Sequence, residues 1–471
     1  MQYSIVNLKT VKENSDFRID AEYFEPSYQK LEKFLSSKET KDLNDYSVFI
    51  KKGIFDISPN NYVEEGGVAF LRSGDLKDEF ISSDEIIRIT KESHEKEKKT
   101  ELVTNDLLMA KVGTIGDVAI NLRFEKLNFS QNVIGIKIKK EYKPISGFLL
   151  SFLNCSYGRN QVNRVLSGQV QQKLILEDIK KVKVVNLKDS IQKLISELVS
   201  RSYLLKEKSN SFYSQAEQFL LSELGLLDWK PKHTLAFVKN FSDTQKAERI
   251  DAEYFQPKYE EIIEAVKKYK GGFDTISGQF RQNKKSFKKT PDKEYQYIEI
   301  GCVNISDGSV EPIKLQGSEL PANAKIKFQK GDVIVSKVRP YRGAIGIVDS
   351  ENYVGSGAFT VLQENGVVNK ETLMVFLRLK PLLDFSLKFN TGTSYPTITD
   401  EDILNFPLPK IDSRTQEEIK KKITEMYETK KISKSLLEIA KRGVEIAIEK
   451  DEQEAEEWIE SEIEKLGVKI Q

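Results

Sequence analysis

Arg18-Ile19-Asp20-Ala21-Glu22-Tyr23-Phe24-Glu25-Pro26 returns 231 positions later as Arg249-Ile250-Asp251-Ala252-Glu253-Tyr254-Phe255-Gln256-Pro257, with eight of the nine positions identical. A match of that length within one chain marks an internal duplication, and a duplication decides the fold before any single element is assigned. Weaker echoes follow in the same order. Asn105-Asp106-Leu107-Leu108-Met109-Ala110-Lys111-Val112 answers Gly331-Asp332-Val333-Ile334-Val335-Ser336-Lys337-Val338 at an offset of 226, and Glu177-Asp178-Ile179 answers Glu401-Asp402-Ile403 at 224. From there the register of 224 holds without a gap, pairing Gln192 with Gln416, Ile195 with Ile419, Tyr203 with Tyr427, Ser209 with Ser433 and Ala216 with Ala440. Two half-chains of about 225 residues share a plan while their middles differ.

Each half reads in three parts. Pro26 and Pro257 stand where a helix would begin, because proline suits the first helical position. Tyr28, Leu31, Phe34 and Leu35, like Tyr259, Ile262, Ile263 and Val266, keep helical spacing behind them. Short β-like runs with glycine turns come next, as in 106–120 and 332–348. A long proline-free apolar stripe closes each half: Ile191, Leu194, Ile195, Leu198, Val199, Leu205, Phe212, Ala216, Phe219 and Leu220 in the first, and Ile419, Ile423, Met426, Leu436, Leu437, Ala440 and Val444 in the second. The second stripe is expected to run on to Trp458, Ile463 and Leu466. At 1.5 Å per residue, about 35 residues make a rod of roughly 50 Å, and the matched register favours the two rods pairing antiparallel as a coiled coil. The expected parts are 1–188, a first globular domain; 189–226, a central helix; 227–411, a second domain opened by a linker over 227–240 that contains Pro231; and 412–471, a distal helix with an acidic extension.

With 471 residues, the chain is too long for one ordinary core. Its 39% hydrophobic and 31% charged residues are those of a folded globular protein. A total of 73 basic against 72 acidic residues excludes a uniformly cationic protein, but local clustering decides nucleic-acid binding. Cys155 and Cys302 lie far apart without a CxxC or a His pair, which argues against a disulfide scaffold or a zinc site. Residues 1–10 lack the apolar core of a secretory signal, and the greasy run 147–153 is far short of the roughly 20 residues of a membrane helix. The expectation is a cytoplasmic chain that does not enter a membrane.

Catalytic groups are mostly withheld. His94 and His233 are the two histidines, read here as solvated surface residues, and they leave almost nothing for a His-based triad or metal cluster. Neither GxxxxGK[ST] nor GxGxxG occurs, and Lys111-Val112-Gly113-Thr114-Ile115-Gly116 reads as strand, turn, strand instead of a phosphate loop. The Asn/Asp-Pro-Pro-aromatic tetrapeptide of amino-methyltransferases is missing, and Pro291-Asp292 has no Glu-x-Lys at a workable distance. No catalytic residue and no metal ligand is assigned.

The polar stretches fit DNA better. Arg159, Asn160 and Arg164 precede a Gly-polar run with Gln169, Gln171, Gln172 and Lys173; arginine reads guanine, and asparagine or glutamine reads adenine, in the major groove. The matching stretch of the second half, 390–397, holds Thr393 and Tyr395. Lys337, Arg339, Tyr341 and Arg342 make a second cationic and aromatic loop, to which Lys111 and Thr114 correspond in the first half. Lys284 and Lys285 suit phosphate contacts, which position without specifying.

This ordered duplication, in which each half closes with a Gly-polar loop, an Asp-Ile segment (Asp178-Ile179, Asp402-Ile403) and a long helix, resembles the specificity subunits of type I restriction–modification systems over essentially the whole chain. The resemblance implies a mixed α/β fold with two globular target-recognition domains separated by two long antiparallel helices in a coiled coil, related by a pseudo-two-fold. Each domain would read one half of a split site in double-stranded DNA, and the helices would set the spacer and dock two modification subunits. Those partners would bind S-adenosylmethionine, and a restriction subunit would bring ATP and Mg; this chain would bind no cofactor. A non-catalytic scaffold and a specificity subunit of a related, type IIB-like assembly are the alternatives.

Overall fold

The structure, a computed structural model, describes residues 6–13, 18–82, 86–166, 174–230, 232–392 and 395–469. Pro231 of the expected linker falls outside them. The chain divides into two compact units, Met1–Glu207 with Lys430–Gln471, and Lys208–Thr429.

In the first unit, among the described residues, a six-stranded sheet runs in the spatial order Ser47–Lys52, Val133–Ile138, Leu107–Ala110, Val118–Ile120, Phe80–Ile81, Leu76–Lys77. The central strand Leu107–Ala110 is wholly buried and pairs antiparallel with both neighbours. Alternation along a strand sends successive side chains to opposite faces. Leu107 and Met109 therefore join the core that includes the helices, while Leu108 and Ala110 join a second core shared with the neighbouring sheet. That neighbour has five strands in the order Tyr62–Val63, Arg88–Ile89, Val68–Leu71, Lys126–Phe129, Leu102–Val103, and its inner pair is parallel.

The second unit repeats this frame with fewer strands. Its four-stranded sheet runs Phe280–Gln282, Phe359–Glu364, Val333–Ser336, Ile345–Ile347. The companion sheet runs Ile313–Gln316, Glu294–Ile298, Tyr353–Ser356, Ala324–Lys327, again with a parallel inner pair. Val333 and Val335 face one core and Ile334 the other. A two-stranded ribbon in each unit joins stretches far apart in sequence: Thr40–Asp42 with Lys183–Val185, and Phe273–Thr275 with Pro407–Pro409. Helices begin at Pro26 and Pro257 as expected. The two units thus share one strand plan over these residues.

The long helices run Asp189–Glu223 and Ser413–Glu449. In the first unit their stretches meet at Ser202 and Ser433, each hydroxyl donating to the other residue's carbonyl at 2.8 Å. In the second unit Ser209 Oγ donates to the Met426 carbonyl at 2.9 Å, and Lys422 lies 5.2 Å from the Phe212 ring. As one residue number rises the other falls, so these stretches pack antiparallel. Small hydroxyl side chains at the seam let the backbones approach closely.

Two expectations need correction. The second stripe is not continuous to Leu466: the helix ends at Glu449, and a separate helix, Glu452–Leu466, starts behind Asp451, whose side chain caps Glu454 N at 2.8 Å. Its apolar residues Ala455, Ile459 and Ile463 are buried in the first unit's core, and Glu452 receives the Lys188 ammonium at 2.9 Å. The acidic extension is therefore a further helix of that unit, with Glu454, Glu457, Glu460 and Glu464 exposed. His94 is buried, not solvated, at 1% exposure: its Nδ1 lies 2.5 Å from Asn128 Oδ1 and its Nε2 3.1 Å from Glu101. The charged residues flanking it in sequence concealed the one position of the helix Lys91–Lys96 that faces inward. His233 is exposed, and Cys155 and Cys302 are buried free thiols. No described helix is long and apolar enough to cross a membrane.

Candidate nucleic-acid interface

In both units a buried central strand leads into a turn and returns as the next strand, which gives the turn a rigid base. The first unit's turn, 111–117, bends at Gly113 and Gly116, both with φ of +83°. Gly116 N donates to the Ala110 carbonyl at 2.8 Å and Lys111 N to that of Asn132 at 2.9 Å. Thr114 is exposed and Lys111 half-buried. Arg159 ties a neighbouring helix, Ser156–Arg164, to this turn through Asp117 at 2.5 Å.

The second unit's turn, 337–343, is built differently. Arg339 adopts a left-handed conformation (φ +48°), uncommon for a residue with a side chain, ahead of the short 3-10 turn Pro340–Arg342. The surroundings hold it there. Arg339 N donates to the Pro396 carbonyl at 2.7 Å, Ile398 N to that of Lys337 at 3.0 Å, and the Arg339 guanidinium lies 4.6 Å from the Tyr395 ring centre. Thr391 and Thr397 exchange backbone hydrogen bonds at 3.0 and 3.1 Å, closing the loop on which Tyr395 stands 68% exposed. Lys337 Nζ meets Asp400 at 3.1 Å. Burial opposes the charge of Asp400, but hydrogen bonds from Thr360, Lys337 and Gln282 outweigh it and hold the carboxyl below its ordinary range. Arg342 is exposed and Tyr341 half-buried beside them. Lys337, Arg339, Tyr341, Arg342 and Tyr395, chosen from separate stretches of sequence, thus share one turn–loop junction.

The remaining candidates are dispersed. Arg159, Asn160 and Arg164 belong to a nine-residue helix, not to a polar loop as expected. The helix forms because Gly158 and Val162 pack inward, against the preceding helix and the first core respectively. Asn160 is exposed. Arg164 turns inward, to Glu32 at 3.0 Å and to the Tyr23 carbonyl at 3.1 Å. Lys284 and Lys285 are exposed beyond the strand Phe280–Gln282, where the Lys285 carbonyl accepts from Lys327 N at 3.1 Å. Gln169, Gln171, Gln172, Lys173 and Thr393 lie outside the described residues.

Comparison with known proteins bears directly on this arrangement: residues 18–211 match the type I restriction modification DNA specificity domain. A 106-residue stretch is 30% identical to the HindI type I restriction enzyme specificity subunit of Haemophilus influenzae, covering 21% of this chain and 23% of that protein. The chain thus matches under a quarter of the relative's length. Among solved structures, the type I restriction-modification S subunit from M. genitalium has a TM-score of 0.38 at 12% identity, over 91% of this chain and 95% of that one. The HsdS subunit from Thermoanaerobacter tengcongensis has a TM-score of 0.29 at 12% identity, over 88% and 97%.

Two residues beneath these turns escaped the sequence reading. Asn154, at the end of the helix Ser146–Asn154, grips the return strand by both Val118 backbone groups, at 3.1 and 2.9 Å. Its equivalent in the 224 register, Arg378, is 5% exposed and donates to the carbonyls of Gly343, Ile345 (3.2 Å) and Ile305 (2.8 Å) and to the Tyr213 hydroxyl (2.7 Å). Each is the polar residue ending an otherwise apolar helical run, and that shared position was the available signal.

Proposed function

We propose that the chain is the DNA sequence-specificity subunit of a type I restriction–modification complex and that it carries no catalytic step itself. The observation that carries this reading is one frame used twice with unlike polar chemistry at the same place. The turn after the central strand presents Lys111, Thr114 and the Arg159–Asp117 pair in one unit, and Arg339, Arg342 and Tyr395 in the other. A shared core with divergent turns is what two readers of two different half-sites require. Guanidinium groups supply paired donors for guanine edges, and lysines and exposed hydroxyls supply phosphate contacts. The antiparallel helices set the spacing of the half-sites and dock two modification subunits. Those subunits bind S-adenosylmethionine and methylate the DNA, and a restriction subunit supplies the ATP- and Mg-dependent steps, in a cytoplasmic complex. Footprinting of the complex assembled with its modification subunits tests this. Two protected blocks, sensitive to base substitution and separated by an insensitive spacer, are expected. One continuous block, or protection independent of sequence, would contradict it, as would methyl transfer or cleavage by the purified chain alone.

A further inference from the structure

The nine-residue segment that reveals the duplication is mostly at the surface: Ile19 is 81% and Ile250 89% exposed. Core packing therefore does not account for its near-identity in the two halves. Its polar residues do the same work twice. Asp20 accepts two hydrogen bonds from the Arg18 guanidinium, at 2.8 and 2.9 Å, and one from Tyr23 N at 3.0 Å. Asp251 accepts the same set from Arg249, at 2.7 and 3.1 Å, and from Tyr254 N at 3.0 Å. Each aspartate thereby folds the segment so that its arginine covers its own tyrosine ring.

A second cation, from elsewhere in the chain, also lies over each ring. Arg18 and Arg164 lie 4.7 and 4.5 Å from the Tyr23 ring centre; Arg249 and Lys388 lie 4.6 and 4.7 Å from that of Tyr254. Arg164 and Lys388 are equivalents in the 224 register, and each stands three residues ahead of a Gly-polar stretch, 167–173 or 391–397. Each cation held near an aromatic ring is attracted by it, and two such contacts leave the ring less freedom than one. In the second unit the grip extends one step further: Arg249 Nη2 also donates to the Asn390 carbonyl at 3.1 Å, immediately before the Thr391–Thr397 closure that presents Tyr395. The stretches that follow differ between the halves, while the device that precedes them does not.

We propose that the duplicated Arg-Ile-Asp-Ala-Glu-Tyr-Phe segment is a positioning device for base reading, in which a tyrosine contacted by two cations fixes the helix end that leads toward the polar stretch. The inference rests on the DNA-reading function proposed above. Tyr254, Arg249 and Lys388 touch no base; they fix where the loop that reads them begins. The second unit is the place to test it, because both feet of its loop are described.

The test uses the complex assembled with its modification subunits and measures methylation rates on duplexes carrying single-base substitutions in either half-site. The half-site belonging to the second unit is identified by exchanging residues 390–397. In Tyr254→Leu, discrimination at that half-site falls by on the order of tenfold, the scale of one lost base contact. The other half-site is unchanged, and Tyr254→Phe, which keeps the ring, retains wild-type discrimination. Lys388→Gln, which leaves the ring and the fold of the segment in place, gives the same one-sided loss and decides the matter if Tyr254→Leu fails to assemble. Equal loss at both half-sites, or none at either, overturns the proposal. A wild-type complex with no split site would instead overturn the DNA-reading function.

Discussion

Beneath the 337–343 turn, the second unit places a guanidinium where the first places an amide. Arg378 donates to three backbone carbonyls and a phenol from a position 5% exposed; the Gly343 carbonyl also accepts from Ile345 N, but removal of Arg378 takes the side-chain donor from those of Ile345 and Ile305. Each such orphaned group costs on the order of 1–3 kcal/mol. Arg378→Met, which keeps most of the side-chain volume, should lower the unfolding free energy by about 2–4 kcal/mol. Urea denaturation followed by circular dichroism checks this, and a loss below about 0.5 kcal/mol, the range of ordinary surface substitutions, would contradict the anchoring role. Residues of this kind were hard to read in advance. Arg159 and Arg164 drew notice because polar residues cluster around them, whereas Arg378 ends an apolar run and passes as the helix's solvated tip. Burial separates these cases, and local sequence does not encode it.

At the scale of elements, periodicity was the reliable guide. The apolar stripes gave the starts of both long helices and the end of the first to within a few residues, and the prolines gave the short helices that follow each duplicated segment. The break after Glu449 escaped because the apolar positions resume in nearly the same phase beyond it. A capping aspartate at 451 was the local sign. Gly443 explains why the last helix docks: a Cβ there would lie 2.6 Å from Ile459. The equivalent position of the first long helix is Phe219, 42% exposed, whose bulk leaves no such approach. Gly443→Leu should therefore destabilise the first unit by about 1–3 kcal/mol, the usual cost of overpacking. It should also speed proteolysis around residues 450–451 relative to the parent chain, and unchanged cleavage would refute the docking account. The proposed spacing role lies with the long helices. Seven residues inserted into each, between 207 and 208 and between 429 and 430, add two turns, or about 10 Å at 1.5 Å per residue. That length corresponds to roughly three base pairs at 3.4 Å each. Footprints of the complex should keep both half-site sequences and lengthen the unread spacer by about that amount; an unchanged spacer would refute the ruler.

For the molecule as a whole, the repeat carried nearly all of the legible information. One segment with eight of nine positions identical announced two units, and the two units share strand order, parallel inner pairs and a two-stranded ribbon. What the repeat could not supply is the chemistry of the turns, where the two halves differ; under the proposed function that difference is what two half-sites require. It equally hid the cation-contacted tyrosines, whose partners at 164 and 388 lie over a hundred residues away in sequence. The central claim is that each unit reads its own half of a split site. The most direct test is sequencing of methylated bases in genomic DNA from cells expressing the chain with its modification subunits, before and after exchange of residues 150–175 for those of a chain with a different target. The expected result is one bipartite motif with an unread spacer, of which the exchange alters a single half. A continuous motif, or an exchange that alters both halves together, would contradict it.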